Sequence, residues 1–244
     1  MKKRIKIYAD ATELFKTVAD EMVQVISSTL QSREYATLVL SGGSTPRGLY
    51  ALLTENPYRN KIDWSRVHLF WGDERNVPPD HPDSNYGMVK RVLLDKVKVP
   101  VSNIHRIYGE LPAEEAAQLY VQELQSFFKN KLPRFDLTLL GLGEDGHTAS
   151  LFPQTTALKE KEKLVVAVFV PKFSSWRISL TFPVINASHN IFFLVTGQKK
   201  AKVVAQIFKL NHPDTALPAS LVKPFQGRLL WFLDEEAASE IIKD

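Results

Sequence analysis

Residues 37–46 read Thr-Leu-Val-Leu-Ser-Gly-Gly-Ser-Thr-Pro, and this stretch decides the fold. Thr37–Leu40 is a short apolar run typical of a buried strand. The two glycines that follow allow a tight turn, and Pro46 suits the first position of a helix. A strand that passes through a turn into a helix is the building unit of α/β proteins.

The same unit recurs along the chain, where short apolar runs alternate with amphipathic stretches. This pattern predicts an α/β fold with a mostly parallel central sheet flanked by helices. No repeat or obvious linker interrupts it, so we expect a single domain over residues 1–244. The predicted strands are Ile5–Tyr8, Thr37–Leu40, Val67–Trp71, Ile104–Ile107, Leu137–Leu140, Leu164–Val170, Arg177–Thr181, Ile191–Thr196 and Leu229–Leu233. The predicted helices follow Asp10 or Thr12, begin near Pro46, follow Ser84, and span Pro112–Lys129 and Gln198–Leu210.

Composition excludes several classes of protein. The 244 residues are 44% hydrophobic and 24% charged, as in globular proteins, and the formal net charge is +4. Basic and acidic residues are interleaved, so we expect no nucleic-acid partner. The absence of cysteine excludes disulfides and thiolate chemistry. No apolar run approaches the ~20 residues that span a bilayer, and none follows the basic N-terminus. We therefore expect a cytoplasmic protein with no signal peptide and no membrane partner.

Three polar loops follow predicted strands directly, and they are the candidate sites. Ligands of open α/β sheets bind at the carboxyl ends of the strands, so three such loops would form one site. In the first loop, Gly42 and Gly43 permit close backbone approach, and Ser44 and Thr45 add hydroxyl groups. N–H groups at a helix start favour an anion such as phosphate. The alternative is an ordinary strand-to-helix turn with a serine cap.

The second loop contains Trp-Gly-Asp-Glu-Arg at positions 71–75, followed by Asp-Ser-Asn-Tyr at positions 83–86. Charged residues directly after a buried strand are unsuited to the core. The functional interpretation is a polar wall, in which Asp73 binds sugar hydroxyls and Arg75 binds an anion or an oxyanion. The alternative is a set of solvated loop charges.

The third loop reads Gly-Leu-Gly-Glu-Asp-Gly-His-Thr-Ala-Ser-Leu-Phe-Pro at positions 141–153. It contains G-x-G-x-x-G, but beyond mid-chain and without an acidic strand-end residue about 20 positions later, so a dinucleotide is disfavoured. The paired His and Cys ligands typical of metal sites are absent from the sequence, and we expect neither a metal nor another cofactor. His147 beside Glu144 and Asp145 is instead suited to acid–base chemistry near neutral pH. The other five histidines are expected to be structural.

Two basic residues in the C-terminal half complete the candidate site. Arg177 opens a predicted strand, and Lys200 lies where Ile191–Thr196 gives way to a helix. At the same sheet edge as Ser44 and Thr45, they would form a pocket for a dianion. The alternative is that both are solvated surface charges.

Together these segments resemble the 6-phosphogluconolactonase family, in family order from about residue 40 to residue 220. The matching pieces are Ser-Gly-Gly-Ser-Thr-Pro (41–46), Trp-Gly-Asp-Glu-Arg (71–75) with Ser-Asn-Tyr (84–86), the whole loop 141–153, Arg-Ile-Ser-Leu-Thr (177–181), Thr-Gly-Gln-Lys-Lys-Ala (196–201) and Leu-Pro-Ala-Ser (217–220). The resemblance implies a Rossmann-like three-layer domain, also used by glucosamine-6-phosphate deaminases and ribose-5-phosphate isomerases. It further implies an ester hydrolase of the oxidative pentose phosphate pathway, which converts 6-phospho-D-glucono-1,5-lactone to 6-phospho-D-gluconate.

The resemblance also implies roles for the site residues. His147 would activate water, Asp145 would orient its imidazole, and Asp73 would complete the catalytic set. The phosphate would be held by Ser44, Thr45, Arg177 and Lys200 with nearby backbone N–H groups. The remaining substrate-binding residues are expected to be Gly42, Gly43, Arg75, Asn85, Gly143 and Glu144. Whether Lys199 or Lys200 matches the family lysine depends on a one-residue alignment choice, and Ala201 favours Lys200.

Two other functions stay open at this point. The deaminase relatives carry a glutamate five positions after the histidine, where this chain has Phe152, and phenylalanine cannot transfer a proton. A non-catalytic sugar-phosphate sensor would usually carry a helix-turn-helix segment, for which the region before the first strand is too short. We expect the protein to be a monomer or a weak homodimer.

Overall fold

The computed structural model describes residues 4–210 and 212–242. The strands within them are β1 (Arg4–Tyr8), β2 (Ala36–Leu40), β3 (Val67–Trp71), β4 (Asp73–Arg75), β5 (Ile104–His105), β6 (Leu137–Leu140), β7 (Val165–Val170), β8 (Ser175–Leu180), β9 (Asn190–Val195) and β10 (Arg228–Asp234). The α-helices are α1 (Ala11–Leu30), α2 (Ser44–Leu53), α3 (Tyr58–Lys61), α4 (Asn85–Val89), α5 (Ala113–Phe127), α6 (Phe182–Ala187), α7 (Ala201–Lys209) and α8 (Glu235–Ala238). Residues 1–3, part of the basic N-terminus considered above, lie outside the described residues.

Seven strands form the central sheet in the order β1-β10-β9-β6-β2-β3-β5, and all neighbouring strands run parallel. The predicted parallel sheet is therefore confirmed. β2 and β6 are buried along their whole length. Continuous burial is typical of strands covered by helices on both faces, as in a three-layer α/β fold.

The chain reverses its direction across the sheet between β2 and β6. From β2 it continues through β3 to β5 at one edge, and then returns to β6 on the other side of β2. The connections that leave the carboxyl ends of β2 and β6 therefore lead in opposite directions, which opens a crevice between them. The first and third candidate loops leave these two strands, so the topology brings them together.

A second, three-stranded antiparallel sheet in the order β4-β8-β7 was not predicted and stands beside the mostly parallel central sheet that was. Only residues 171–174 join β7 to β8. A parallel crossover needs about a dozen residues, so two strands joined this closely pair as a hairpin. β4 follows β3 after Gly72 alone, and it leaves the central sheet to pair with β8.

Most predicted boundaries differ from the structure by one to three residues, as those at β5 and α2 show. The strand expected at Ile104–Ile107 ends at His105, and α2 begins at Ser44, two residues before Pro46. The helix starts early because Gly43 adopts a φ of 106°, a conformation that turns the chain before the serine. Pro46 is tolerated there, since the first N–H groups of a helix have no intrahelical acceptor.

Helix α1 shows how local sequence and core packing agree. Asp10 caps it, as predicted, because its carboxylate accepts the backbone N–H of Glu13 at 2.9 Å. Leu14, Val18 and Met22 recur at helical spacing and are buried in the core. These contacts fix the helix against the sheet, while the polar loops stay at the carboxyl edge.

His68 on β3 and His105 on β5 form a hydrogen-bonded pair within an aromatic cluster. Nδ1 of His68 lies 2.9 Å from Nε2 of His105, and Nδ1 of His105 lies 2.5 Å from Oε1 of Glu123. With both rings neutral, Nδ1 of His105 donates to the carboxylate and Nε2 of His105 accepts from His68. Burial and the adjacent His105 ring lower the pKa of His68 to about 4, and burial also lowers the pKa of His105.

We expect the free energy of unfolding to decrease as the pH falls from about 6.5 to about 4. A histidine in the unfolded chain has a pKa of about 6.5, so the unfolded state takes up a proton that folded His68 refuses. Above this range both states are neutral, and the histidine adds no pH dependence. His68→Asn should flatten the decrease, measured by urea denaturation across this range. The exposed His212 provides the control His212→Asn, and equal slopes for the two variants would contradict the assignment.

Candidate active site

A cavity of about 190 Å³ lies at the carboxyl ends of four neighbouring strands. It is lined by residues from the segments that follow β2, β3, β6 and β9. All three candidate loops contribute to it, and the residues after β9 form a fourth wall that includes Thr196 and Lys200. The crevice between β2 and β6 is thus occupied by polar side chains from separate parts of the sequence.

The loop after β2 supplies a helix N-terminus to the cavity. Gly42, Gly43, Ser44 and Thr45 all line it, and α2 begins at Ser44. The Oγ1 atoms of Thr45 and Thr196 lie 2.7 Å apart, so this hydroxyl pair links the first wall to the fourth. Free N–H groups and hydroxyls at a helix start favour an anion at this end of the cavity.

Asp73 is buried in the wall formed by the second loop and is held by two neighbours. Its Oδ2 accepts a hydrogen bond from the Ser150 hydroxyl at 2.6 Å, and the Asn85 side-chain amide donates to its backbone carbonyl at 2.9 Å. Asp73 and Asn85 both line the cavity, whereas Ser150 lies beneath them in the third loop. A Cβ on Gly42 would overlap the Asn85 amide, so this position has to be glycine.

Glu74 is a buried acid that the sequence analysis did not single out. Its carboxylate accepts backbone N–H groups from Arg75, Asn85 and Tyr86 at 2.7 to 2.8 Å, and the Ser84 hydroxyl at 3.1 Å. Burial raises the pKa of Glu74 to about 7, although these N–H donors oppose the shift. Glu74 therefore ties β4 to the start of α4 and fixes the positions of Arg75 and Asn85.

His147 and Asp145 form a hydrogen-bonded pair in the third loop. Nδ1 of His147 contacts Oδ1 of Asp145, and His147 lines the cavity with about a quarter of its side chain exposed. Burial disfavours ionisation of Asp145, but hydrogen bonds from His147 and Lys172 outweigh it and hold the pKa of Asp145 well below its usual range. The carboxylate is thus ionised and keeps the proton on Nδ1, which leaves Nε2 as the basic nitrogen.

The imidazole of His147 is confined on both sides. The Phe152 ring stacks on it with the ring centroids 3.9 Å apart and an interplanar angle of 25°. A Cβ on Gly143 would overlap the imidazole, so glycine is required at this position as well. The ring is therefore held in one orientation by an aromatic neighbour, a carboxylate and a close backbone.

The predicted basic residues fall in different places. Lys200 is half-buried and lines the cavity, whereas Lys199 is exposed and outside the lining. Burial lowers the pKa of Lys200, against the nearby Glu144 and Asp145, which raise it. Arg75 lines the cavity and donates to the Asp83 carbonyl at 2.5 Å.

Besides Asp145, which reaches the cavity through His147, two predicted residues are outside the cavity lining. Glu144 is exposed, and Arg177 pairs with Arg75 across β4 and β8, where its guanidinium donates to the Ser175 hydroxyl and the Trp176 carbonyl. Burial and the charge of Arg75 lower the pKa of Arg177. Arg177 therefore adds positive potential beside Arg75, and direct contact with a phosphate stays a prediction.

Ser41 is a lining residue that the sequence analysis missed. It is buried, and its hydroxyl has no hydrogen-bond partner within the described residues. Its position directly before the glycines was the available signal, because the first residue after a strand at the carboxyl edge can reach the ligand. Thr196 and Ser150 were also missed, since their contacts join segments far apart in the sequence.

Metal ligands are not grouped in the part of the chain that the structure describes. No three His, Asp or Glu side chains among those residues lie in an arrangement that could hold a metal ion. In the same residues, no helix is both long and apolar enough to cross a membrane.

A polar cavity at the switch point of a parallel sheet, with a helix N-terminus aimed into it, is typical of α/β proteins that bind small phosphorylated molecules. The family described as "Glucosamine-6-phosphate isomerases/6-phosphogluconolactonase" matches residues 9–231. The chain belongs to this family.

Curated relatives match along nearly the whole chain. A "6-phosphogluconolactonase" from Nostoc sp. is 40% identical over 246 residues, which cover 99% of both chains. The human "6-phosphogluconolactonase" is 39% identical over 241 residues, covering 96% of this chain and 92% of the human protein.

Solved structures agree in fold. The crystal structure of a 6-phosphogluconolactonase from Thermotoga maritima is 32% identical with a TM-score of 0.82, covering 96% of this chain and all of that one. The corresponding protein from Trypanosoma brucei is 30% identical with a TM-score of 0.84 and 98% coverage of both chains. A monomeric glucosamine-6-phosphate deaminase is 21% identical with a TM-score of 0.81 and covers 97% of this chain and 99% of its own. That last likeness shows the shared fold alone.

We expect Ser41→Ala to weaken substrate binding without lowering stability. The variant removes a buried hydroxyl that has no protein partner, so the melting temperature should stay equal or rise. KM for the phosphorylated lactone expected from the sequence should increase about two- to tenfold, the value of one hydrogen bond. Ser188→Ala is the control, because Ser188 bonds Thr138 at 2.8 Å away from the cavity and should lose stability with KM unchanged. An unchanged KM for Ser41→Ala would exclude Ser41 from substrate binding.

Proposed function

We propose that this protein hydrolyses 6-phospho-D-glucono-1,5-lactone to 6-phospho-D-gluconate, the lactonase step of the oxidative pentose phosphate pathway. The observation that carries the proposal is the environment of His147, which is bonded to Asp145 and stacked on Phe152 in a cavity with an anion-binding end. The names of the curated relatives, at about 40% identity over nearly the full length, support the same reaction.

Phe152 separates this activity from that of the deaminases. The deaminase pattern has a glutamate five positions after the histidine to help open the sugar ring, and here a phenylalanine lies against the imidazole instead. A hydrocarbon ring neither donates nor accepts a proton, so Phe152 offers no second acid–base group at the position of the deaminase glutamate. Lactone hydrolysis needs one such group, whereas ring opening with aldose–ketose exchange needs more.

The phosphate binds at the end of the cavity formed by α2 and Lys200. Ser44 and Thr45 present hydroxyls and helix N-terminal N–H groups there, and Lys200 supplies a positive charge. Arg177 contributes through its charge beside Arg75. Asp73 and Asn85, which also line the cavity, accept and donate hydrogen bonds to the ring hydroxyls. Contacts to both the phosphate and the ring hydroxyls direct the lactone carbonyl towards the imidazole.

The chemistry is a general-base hydrolysis. Nε2 of His147 takes a proton from water as the water oxygen bonds to the lactone carbonyl carbon, and the carbonyl oxygen becomes an oxyanion. The tetrahedral intermediate collapses, the bond from that carbon to the ring oxygen breaks, and His147 returns the proton to the ring oxygen. Asp145 stabilises the imidazolium that exists between the two transfers.

Arg75 is a better candidate than the N–H groups of the third loop for stabilising the oxyanion. Three N–H groups of the third loop already donate within it, from Gly143 to the His147 carbonyl, from Gly146 to the Gly143 carbonyl and from His147 to Asp145. Arg75 lines the cavity and carries a positive charge. The attraction between this charge and the carbonyl oxygen strengthens as the oxyanion forms. An activated ester needs little more than positioning, a base and this charge.

A sugar-phosphate-binding module without catalysis is the remaining alternative, and the oriented His147–Asp145 pair favours an enzyme. A cytoplasmic location and a monomer or weak homodimer belong to the same proposal.

The direct test is hydrolysis of the lactone by purified protein above the spontaneous rate, with glucosamine 6-phosphate as the rival substrate. Binding without hydrolysis would support the module, and deamination would support the isomerase branch of the family.

We expect His147→Ala to lower kcat by about 10²- to 10⁴-fold, the usual contribution of general-base catalysis, with KM nearly unchanged. The phosphate contacts lie on other elements, so binding should survive the loss of the imidazole. Isothermal titration with 6-phosphogluconate would measure that binding directly. Turnover within a few-fold of the native rate would remove His147 from the mechanism.

We expect Lys200→Ala mainly to raise KM, by about ten- to a hundredfold, because a charge-assisted hydrogen bond to phosphate is lost. The matched control is Lys199→Ala, since Lys199 is adjacent in sequence but exposed and outside the cavity lining. A larger effect for Lys199→Ala would transfer the phosphate contact to that residue. Equal KM values for both variants and the native protein would remove both lysines from the site.

A further inference from the structure

The turn between β7 and β8, residues 171–174, contacts the catalytic pair although it belongs to the small antiparallel sheet. Nζ of Lys172 donates to Oδ2 of Asp145 at 2.9 Å, while the other carboxylate oxygen accepts from His147. Both oxygens of Asp145 are therefore engaged, one by the imidazole and one by an ammonium from another sheet. The sequence analysis gave Lys172 no role.

A second contact reaches His147 from the same turn. The Phe173 ring meets Phe152 edge to face with the centroids 5.7 Å apart, and Phe152 in turn stacks on the imidazole. The Lys172 ammonium lies 5.5 Å from the centroid of the Phe173 ring. The turn thus touches the catalytic pair through a charge on the carboxylate side and through aromatic packing on the imidazole side.

We infer that Lys172 is a positioning residue for the His147–Asp145 pair, an inference that rests on the lactonase activity proposed above. A carboxylate bonded through one oxygen can still rotate about its Cβ–Cγ bond. A donor on the other oxygen fixes the carboxylate plane, and with it the direction in which Nδ1 is held and Nε2 points. Supporting contacts of this kind are what keep a catalytic group in its productive orientation.

The charge of Lys172 has a consequence separate from geometry. The ammonium neutralises part of the Asp145 charge, so its removal leaves His147 beside a more strongly negative carboxylate. Protonation of the imidazole then becomes easier, and the inactive cationic form persists to higher pH. Among the other charged groups, Lys200 interacts electrostatically with both Asp145 and Lys172. Glu144 and Lys199 interact with Lys200, and these three charges stay in place when Lys172 is replaced.

The expected effect is moderate, because more than half of the Lys172 side chain is exposed and solvent screens the pair. Lys172→Met should lower kcat roughly three- to tenfold and leave KM unchanged, since the phosphate-binding residues lie elsewhere. The acidic limb of the kcat pH profile should move to higher pH. Lys172→Arg should restore most of the rate, because a guanidinium can also donate to Oδ2.

The matched control is Lys161→Met, since Lys161 is exposed and its side chain makes no hydrogen bond or ion pair within the described residues. Like Lys172→Met, the control Lys161→Met removes one positive charge, here from the segment before β7, and it should leave both kcat and the pH profile unchanged. Circular dichroism and melting temperature would establish that Lys172→Met is folded. If Lys172→Met matches Lys161→Met in rate and profile, Lys172 has no positioning role.

A measurement without substrate separates this inference from the proposed function. In ¹⁵N-labelled protein, the His147 Nδ1–H proton, assigned by its loss in His147→Ala, should exchange faster with water in Lys172→Met than in the native protein. Equal exchange in both would overturn the inference, whether or not the lactone is hydrolysed. A native protein that fails to hydrolyse the lactone would overturn the proposed function, while faster exchange in Lys172→Met would still uphold the role of Lys172.

Discussion

The hydrogen bond between Asp145 and Nδ1 of His147 determines which nitrogen of the imidazole can take a proton. Because the carboxylate is ionised, the Nδ1 proton is retained and Nε2 is left as the base. The bond is local in sequence, with one residue between its partners, yet it depends on distant parts of the chain. Gly143 leaves room for the imidazole, Phe152 covers one face, and Lys172 holds the second carboxylate oxygen.

The parallel sheet contributes the place where this pair can meet a ligand. β2 and β6 are neighbours whose onward connections diverge, so the loops that follow them face each other across a crevice. One loop ends in a helix N-terminus and the other carries the histidine. In the proposed function, the phosphate contacts and the basic nitrogen are therefore supplied by separate units of the fold and can be altered independently.

Local patterns were sufficient for the central sheet and for much of the site. Asp10 caps α1, and the buried runs form the expected strands. Ten of the thirteen predicted site residues line one cavity. The other three lie outside the lining: Asp145 bonds to His147, which lines the cavity, whereas Glu144 and Arg177 have no such bond to it within the described residues. The antiparallel sheet was not predicted, because the alternation of apolar and polar residues indicates a strand but not which strand it pairs with. The four-residue connection between β7 and β8 carried that information, since it is too short for a crossover.

The contacts that sequence reasoning missed are those in which the partners are far apart along the chain. Ser150 supports Asp73 from 77 positions away, and Thr196 meets Thr45 across 151 positions. Neither hydroxyl belongs to a local pattern, so only the folded chain identifies them. Glu74 was missed for a different reason, because a charged residue between Asp73 and Arg75 suggests solvent exposure. In the structure Glu74 is buried, and four hydrogen-bond donors compensate that burial.

Phe152 shows how one fold can accommodate different chemistry at the same cavity. The ring fills the space beside the imidazole with an apolar surface, so no second proton carrier operates there. The interaction also restrains His147, since a stacked ring limits rotation of the imidazole while Asp145 fixes its tautomer. A glutamate at this position would add a titratable group and remove that packing contact. In the proposed function, the apolar residue stacked against the imidazole therefore excludes a second proton carrier at this position and favours ester hydrolysis.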